Sequence, residues 1–103
     1  MSVDQNIQCV YACRMKNEAL IIEFGLRIRQ LRLEKSISQE KLSFLTGFHR
    51  TYIGMIERGE RNISLTNMAV FAKIFELTVS ELLDFSSINP KHSFKKYEIK
   101  TEE

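Results

Sequence analysis

Residues 39–62 read QEKLSFLTGFHRTYIGMIERGERN. The spacing of this stretch predicts two short helices joined by a tight turn. Ser38, just ahead of it, is a good N-cap, because its hydroxyl can accept from an orphan N–H of the first turn. Leu42 and Leu45 follow at helical spacing, and the small Ser43 between them lets a second helix cross closely. Gly47 stands where a left-handed residue ends a helix at no steric cost, and Phe48 plugs the corner. Ile53 and Ile56 recur at i, i+3 and point inward. Arg50, Thr51, Gly54, Met55 and Arg58 are left facing out, and Gly59 stops the second helix. The pattern is a helix-turn-helix whose second helix carries a polar, basic outer face, a shape that fits the DNA major groove. An ordinary αα-hairpin that binds nothing is the bland alternative.

Upstream, EALIIEFGLRIRQLRLEK over 18–35 predicts a helix capped by Asn17, with Leu20, Phe24, Ile28 and Leu31 as one apolar stripe. Gly25 inside it costs roughly 1 kcal/mol against Ala, which moves the expected effective start to near Glu23. Arg27, Arg29, Arg32 and Lys35 make its C-terminal half positive, which suits the helix dipole; Arg27 and Arg29 are read as solvent-facing charges. Downstream, Ser64 caps a helix over 65–75 with Leu65, Met68, Phe71, Ala72 and Phe75 on one side. Ser80 is expected to cap a short fifth helix through Leu83, with Val79, Leu82 and Phe85 apolar. Five short helices with short links and no alternating strands predict an all-α domain.

The chain has 103 residues, enough for one small domain with tails: an N-terminal extension over 1–16, a DNA-binding domain over 17–86 and a C-terminal tail over 87–103. Met15-Lys16-Asn17 reads as an alternative start. Ser86-Ser87 and Asn89-Pro90 mark the break before the tail, whose charged KHSFKKYEIKTEE is a loose tail or an edge strand that pairs with another chain. A net charge of +2 excludes a polybasic nucleic-acid coat but allows a local basic face. No apolar run reaches the length of a membrane span and no secretory signal is evident, so a cytoplasmic location is expected. Cys9 and Cys13 are read as reduced thiols, since neither they nor the isolated His49 and His92 assemble a zinc site. Four glycines and two histidines build no catalytic set and no phosphate-cradling loop. The reading is therefore a protein that is not an enzyme and has no metal and no cofactor. His49, at the opening of the second helix, is a polar residue on the groove or phosphate side.

The run over 24–85 resembles the Cro/C1-type (XRE) helix-turn-helix family, a five-helix lambda repressor-like DNA-binding domain. The resemblance rests on SQEKL at 38–42, Gly47, and RTYIGMIERGERN at 50–62. The last of these is similar to the controller proteins of restriction-modification systems, which regulate their own operon and that of the endonuclease. Carried over by residue, the resemblance implies that Gln39 bonds a phosphate through its side chain and the helix N-terminus. It implies that Arg50 reads a guanine edge, whose O6 and N7 match its fork, and that Thr51 meets a base edge or a thymine methyl. Tyr52 would pack at the groove wall and bond a phosphate. Met55 stands where the family often has a polar base reader, and its thioether offers apolar contact only. Arg61 and Asn62 would hold the phosphate backbone, with Arg61 able to reach a base. Arg58 is a phosphate contact or a solvated charge. Arg32 and Glu57 match a structural ion pair of the family, with a folding role. Ser36 departs from the family's usual Gly at the end of the first helix.

These readings converge on a sequence-specific transcriptional regulator that binds double-stranded DNA as a homodimer. One recognition helix covers few base pairs, so a two-fold dimer on a pseudo-palindrome is expected. The apolar surplus at Val79, Leu82, Leu83 and Phe85 is the expected dimer seam, and Met68, Phe71 and Phe75 are core or seam. The sequence leaves open an antitoxin, which would use the same motif and engage a toxin through an extension, and a protein-interaction module without DNA. Contact with RNA polymerase or a toxin would be a further partnership.

Overall fold

A computed structural model describes residues 18–88 of the chain. The expectations for Cys9, Cys13, Asn17, His92 and the two terminal stretches lie outside the described residues. Within them the chain forms five helices and no strand: α1 (Glu18–Glu34), α2 (Gln39–Thr46), α3 (Arg50–Glu57), α4 (Leu65–Phe75) and α5 (Val79–Leu82).

The helix ends are set locally. Ser38 Oγ accepts from the Lys41 N–H at 3.0 Å, and Ser64 Oγ accepts from the Asn67 N–H at 3.1 Å, so each cap satisfies an orphan donor. Gly47 adopts φ 83° and returns its N–H to the Ser43 carbonyl, which closes α2 and turns the chain into α3. Helix α1 ends on a left-handed residue with a side chain, Ser36 at φ 57°, whose N–H meets the Leu33 carbonyl at 2.9 Å. A β-carbon in that region costs roughly 1–2 kcal/mol, which a glycine would avoid. The cap of α5 is Thr78 rather than Ser80. The Thr78 hydroxyl accepts from the Glu81 N–H at 3.1 Å while the Glu81 carboxylate accepts from the Thr78 N–H at 2.8 Å. Among the described residues the Ser80 hydroxyl bonds that of Thr78. A reciprocal T-x-x-E box outcompetes a lone serine two residues later.

The core is built by Phe24, Ile28 and Leu31 of α1, Leu42 of α2, Ile53 and Ile56 of α3, Phe71, Ala72 and Phe75 of α4, and Leu82 and Phe85 at the C-terminal end. Phe48 fills the α2–α3 corner against Tyr52 and Phe71, with ring centroids 5.2 and 5.3 Å away. Burying a side chain such as Phe71 is worth roughly 1.5–3 kcal/mol. Two expected core residues stand outside: Leu20 is 38% exposed and Leu65 67% exposed. Both lie in the first turn of their helices, Leu20 at the rim of an apolar cavity it shares with Met68 and Leu83.

Gly25 does not delay the start of α1, which runs unbroken through it from Glu18. It is buried against α3, where a β-carbon would collide with the Ile56 carbonyl oxygen and come within 2.9 Å of that of Glu57. The glycine is there for helix contact, not as a breaker. Arg27 likewise departs from the solvent-facing expectation. Its Nε donates to the Leu82 carbonyl at 3.1 Å and its Nη2 to the Glu81 carbonyl at 2.8 Å. It thereby caps the C-terminal end of α5 and fastens that helix to α1. Gln30 and Ser87 add a bond of 3.0 Å beside it, and Ile88 packs against the core.

Candidate nucleic-acid interface

Ser38, Gly47 and the inward Ile53 and Ile56 fix how α3 lies across α2, and that leaves the first turn of α3 in the open. Arg50 and Thr51 are both exposed there. His49 precedes them as the N-cap, its Nδ1 accepting from the Thr51 N–H at 3.1 Å. An imidazole that accepts at Nδ1 carries its hydrogen on Nε2, so a donor is left on the open side. One turn further along the same stripe is Gly54, which is buried rather than facing out. A β-carbon there would lie 3.1 Å from Arg58 Nη1 and 3.6 Å from Gln39 Oε1. The missing side chain lets the Arg58 guanidinium fold back over the helix beside Gln39. Arg58 is paired with Glu60: Nε to Oε2 is 3.0 Å and Nη2 to Oε1 is 3.3 Å. That bond holds the guanidinium above its usual pKa, so the cation is permanent but partly neutralised.

Behind α3 lies a buried ion pair. Arg32 Nε meets Glu57 Oε2 at 2.7 Å and Arg32 Nη2 meets Glu57 Oε1 at 3.0 Å, with side chains only 10% and 2% exposed. Arg32 Nη1 also donates to the Ile37 carbonyl at 2.9 Å, at the end of the α1–α2 link. The hydrogen bond to Glu57 raises the Arg32 pKa against the opposing effect of burial. Gln39 joins this group: its Nε2 donates to Glu57 Oε1 at 3.0 Å. Half of its amide's donor capacity is therefore used inside the chain. One amide hydrogen and the backbone N–H groups of the α2 N-terminus are left for an anion.

A second cluster forms where α3, the following loop and α4 meet. The Tyr52 ring is half-buried, with Phe48 at its edge and the Arg61 guanidinium 5.5 Å from its centroid. Its hydroxyl accepts from Asn67 Nδ2 at 3.0 Å. Arg61 and Asn62 are exposed, and Met55 is half-buried on α3. Asn67 is a residue that sequence reasoning missed. Its position in the first turn of α4 was legible, but nothing local says that its side chain reaches a tyrosine 15 residues earlier.

The expected seam divides. Leu82 is fully buried and Phe85 nearly so, both inside this chain's own core, and neither offers its side chain to a second copy. Val79 is half-buried and Leu83 is 38% exposed. Leu83 borders an apolar cavity of about 130 Å³ with Leu20, Ile21, Phe24 and Met68. Among the described residues no group of His, Cys, Asp and Glu could hold a metal ion, and no helix is long and apolar enough to cross a membrane.

This arrangement defines a class of small helical DNA readers, and comparison with known proteins places the chain within it. A helix-turn-helix family profile matches residues 28–82. The chain belongs to the helix-turn-helix family of Cro/C1 (XRE) type. It is 52% identical over 66 residues to the control protein C.BamHI of Bacillus amyloliquefaciens, a match over 63% of this chain and 82% of that protein. The structure resembles the crystal structure of the restriction-modification controller protein C.AhdI from Aeromonas hydrophila. There the TM-score is 0.60 at 45% identity, over 62% of this chain and 97% of that one. It also resembles the controller C.Esp1396I, solved as a tetramer in complex with its natural 35 base-pair operator. That match has a TM-score of 0.57 at 33% identity, over 62% of this chain and 88% of that one.

Proposed function

We propose that the chain is a transcriptional regulator of the restriction-modification controller type, which binds a pseudo-palindromic operator as a homodimer and catalyses no reaction. The observation that carries this reading is the exposed first turn of α3. It presents Arg50 and Thr51, with Arg58 and Arg61 following on the same helix and its loop, on a motif whose relatives are controller proteins. A guanidinium on the open end of a recognition helix fits guanine O6 and N7. The surrounding donors fit phosphates: the His49 imidazole, the Gln39 amide, the Tyr52 hydroxyl, and Arg61 and Asn62. These contacts set register without reading sequence. Met55 contributes apolar contact at most. The operator-bound tetramer of C.Esp1396I supports binding by more than one copy. The domain span of residues 17–86 and a cytoplasmic location belong to the same proposal.

The test starts from a random duplex pool. The full chain should enrich a palindromic sequence, and binding should weaken steeply with salt as counterion release requires. Arg50→Ala should then lose about 1–3 kcal/mol of preference for that duplex over a scrambled one, with thermal stability unchanged. A wild-type chain that enriches nothing overturns the function. An equal loss on both duplexes makes Arg50 a phosphate contact.

A further inference from the structure

Tyr52 is held by three groups from three parts of the chain. Phe48 from the α2–α3 turn meets its ring edge, Arg61 from the loop after α3 lies over its ring, and Asn67 from α4 bonds its hydroxyl. Only the last of these is a directed polar contact, and it has a polarity. The Asn67 amide nitrogen donates at 3.0 Å, so the phenol oxygen accepts and its own hydrogen is not used on Asn67. A phenol has one hydrogen to give. A phosphate can only accept, so a tyrosine serves it only while that hydrogen is free. A donor placed on the phenol oxygen also polarises the O–H and strengthens what it gives onward.

Asn67 is able to hold this position because its backbone is fixed. Its N–H is the one that Ser64 Oγ caps, at 3.1 Å, so the side chain leaves a pinned site at the start of α4. We propose that Asn67 is a positioning residue of the DNA interface: by donating to the Tyr52 hydroxyl it directs that hydroxyl's hydrogen to a phosphate and holds the Tyr52 ring on which Arg61 rests. The inference rests on the DNA-binding reading above and adds to it a residue that touches no DNA.

The experiment uses the full chain and the duplex that the wild-type protein enriches, with Asn67→Ala, Tyr52→Phe and the double variant. The Ser64 cap bonds a backbone N–H, so Asn67→Ala keeps it, and the thermal midpoint should fall by no more than the few degrees that one part-buried hydrogen bond is worth. Affinity should fall about three- to tenfold per half-site for Asn67→Ala, the span of one lost net hydrogen bond. It should not fall again when Asn67→Ala is added to Tyr52→Phe. Asn67→Asp provides a variant certain to keep the helix, because an acid suits its first turn. It accepts the phenol hydrogen instead of donating, so its loss should be larger with Tyr52 present than in the Tyr52→Phe background. The difference between backgrounds separates the hydroxyl from the added charge. Equal losses in both backgrounds, or no loss for Asn67→Ala, overturn the proposal while leaving the DNA-binding reading intact. Failure of the wild-type chain to enrich any duplex overturns that reading first.

Discussion

Removing the Glu57 carboxylate should cost the domain much of its stability. The two side chains of the Arg32–Glu57 pair are 10% and 2% exposed, and both carboxylate oxygens are engaged by the guanidinium. In Glu57→Gln the guanidinium stays buried without its counter-charge: it keeps the Ile37 carbonyl and one amide oxygen as acceptors, while one of the two donors that met the carboxylate now faces an NH2 group. Gln39 loses the same carboxylate. Breaking a buried pair from one side costs about 3–5 kcal/mol, against about 5–15 kcal/mol for a small domain in total. At about 4–8 °C per kcal/mol, the thermal midpoint should fall by about 12 °C or more. Circular dichroism melts, with urea titrations to give the free energy, would measure it. The double variant Arg32→Met, Glu57→Leu removes both charges and fills the space, and it should recover most of the loss. An unchanged midpoint for Glu57→Gln would refute the reasoning. So would a double variant as unstable as the single one, since the cost would then lie in lost packing rather than in a stranded charge.

Three further outcomes are expected. Gly25→Ala should destabilise by about 1–3 kcal/mol, because two α3 carbonyls occupy the space of the new methyl; helix propensity alone predicts a gain of roughly 1 kcal/mol, so the sign of a urea titration decides. Glu60→Gln should free Arg58 and tighten binding to enriched and scrambled duplexes alike, with a steeper salt slope in a binding titration; the gain should shrink when Arg58→Gln is added, and a gain of the same size in both backgrounds would mean that Glu60 acts only by long-range repulsion. Leu83→Arg, at the exposed end of the apolar cavity, should give a folded monomer by sedimentation that binds the full duplex weakly; unchanged oligomeric state would move the seam elsewhere.

What was legible in the sequence is what neighbouring residues decide. Ser38, Gly47 and Ser64 act within four residues of themselves, and the bounds of α2 and the start of α4 follow from them. The family motif added the Arg32–Glu57 match, which no spacing argument yields across 25 residues. The α5 cap is misread locally, since the Thr78–Glu81 box is overlooked in favour of Ser80; the Gly25 and Arg27 misreadings share another cause, a partner far along the chain. Gly25 reads as a helix breaker until α3 lies against it. Arg27 reads as solvated until α5 presents its carbonyls 54 and 55 residues later. Gly54 reads as open until Arg58 and Gln39 close over it. Leu20 and Leu65 fit an apolar stripe, but a period of 3.6 residues does not say how far along a helix the neighbouring elements reach.

Three of the candidate phosphate contacts differ from the candidate base reader in one physical respect. Gln39 is held by Glu57, Tyr52 by Asn67, and the His49 ring by the Thr51 N–H. Their rotamers are set before DNA arrives, so little side-chain entropy is lost when a phosphate meets them, about 0.5–1.5 kcal/mol saved for each long side chain. Arg50 has no hydrogen bond or ion pair holding its side chain among the described residues. It must be ordered by the base it meets, and that ordering is repaid only where both acceptors of a guanine are presented to its fork. On the proposed binding mode, pre-set phosphate contacts around a mobile Arg50 would make the wrong base costly there. Discrimination would then be concentrated at the first turn of α3, and the preference of the whole domain should narrow to the base pair that Arg50 faces.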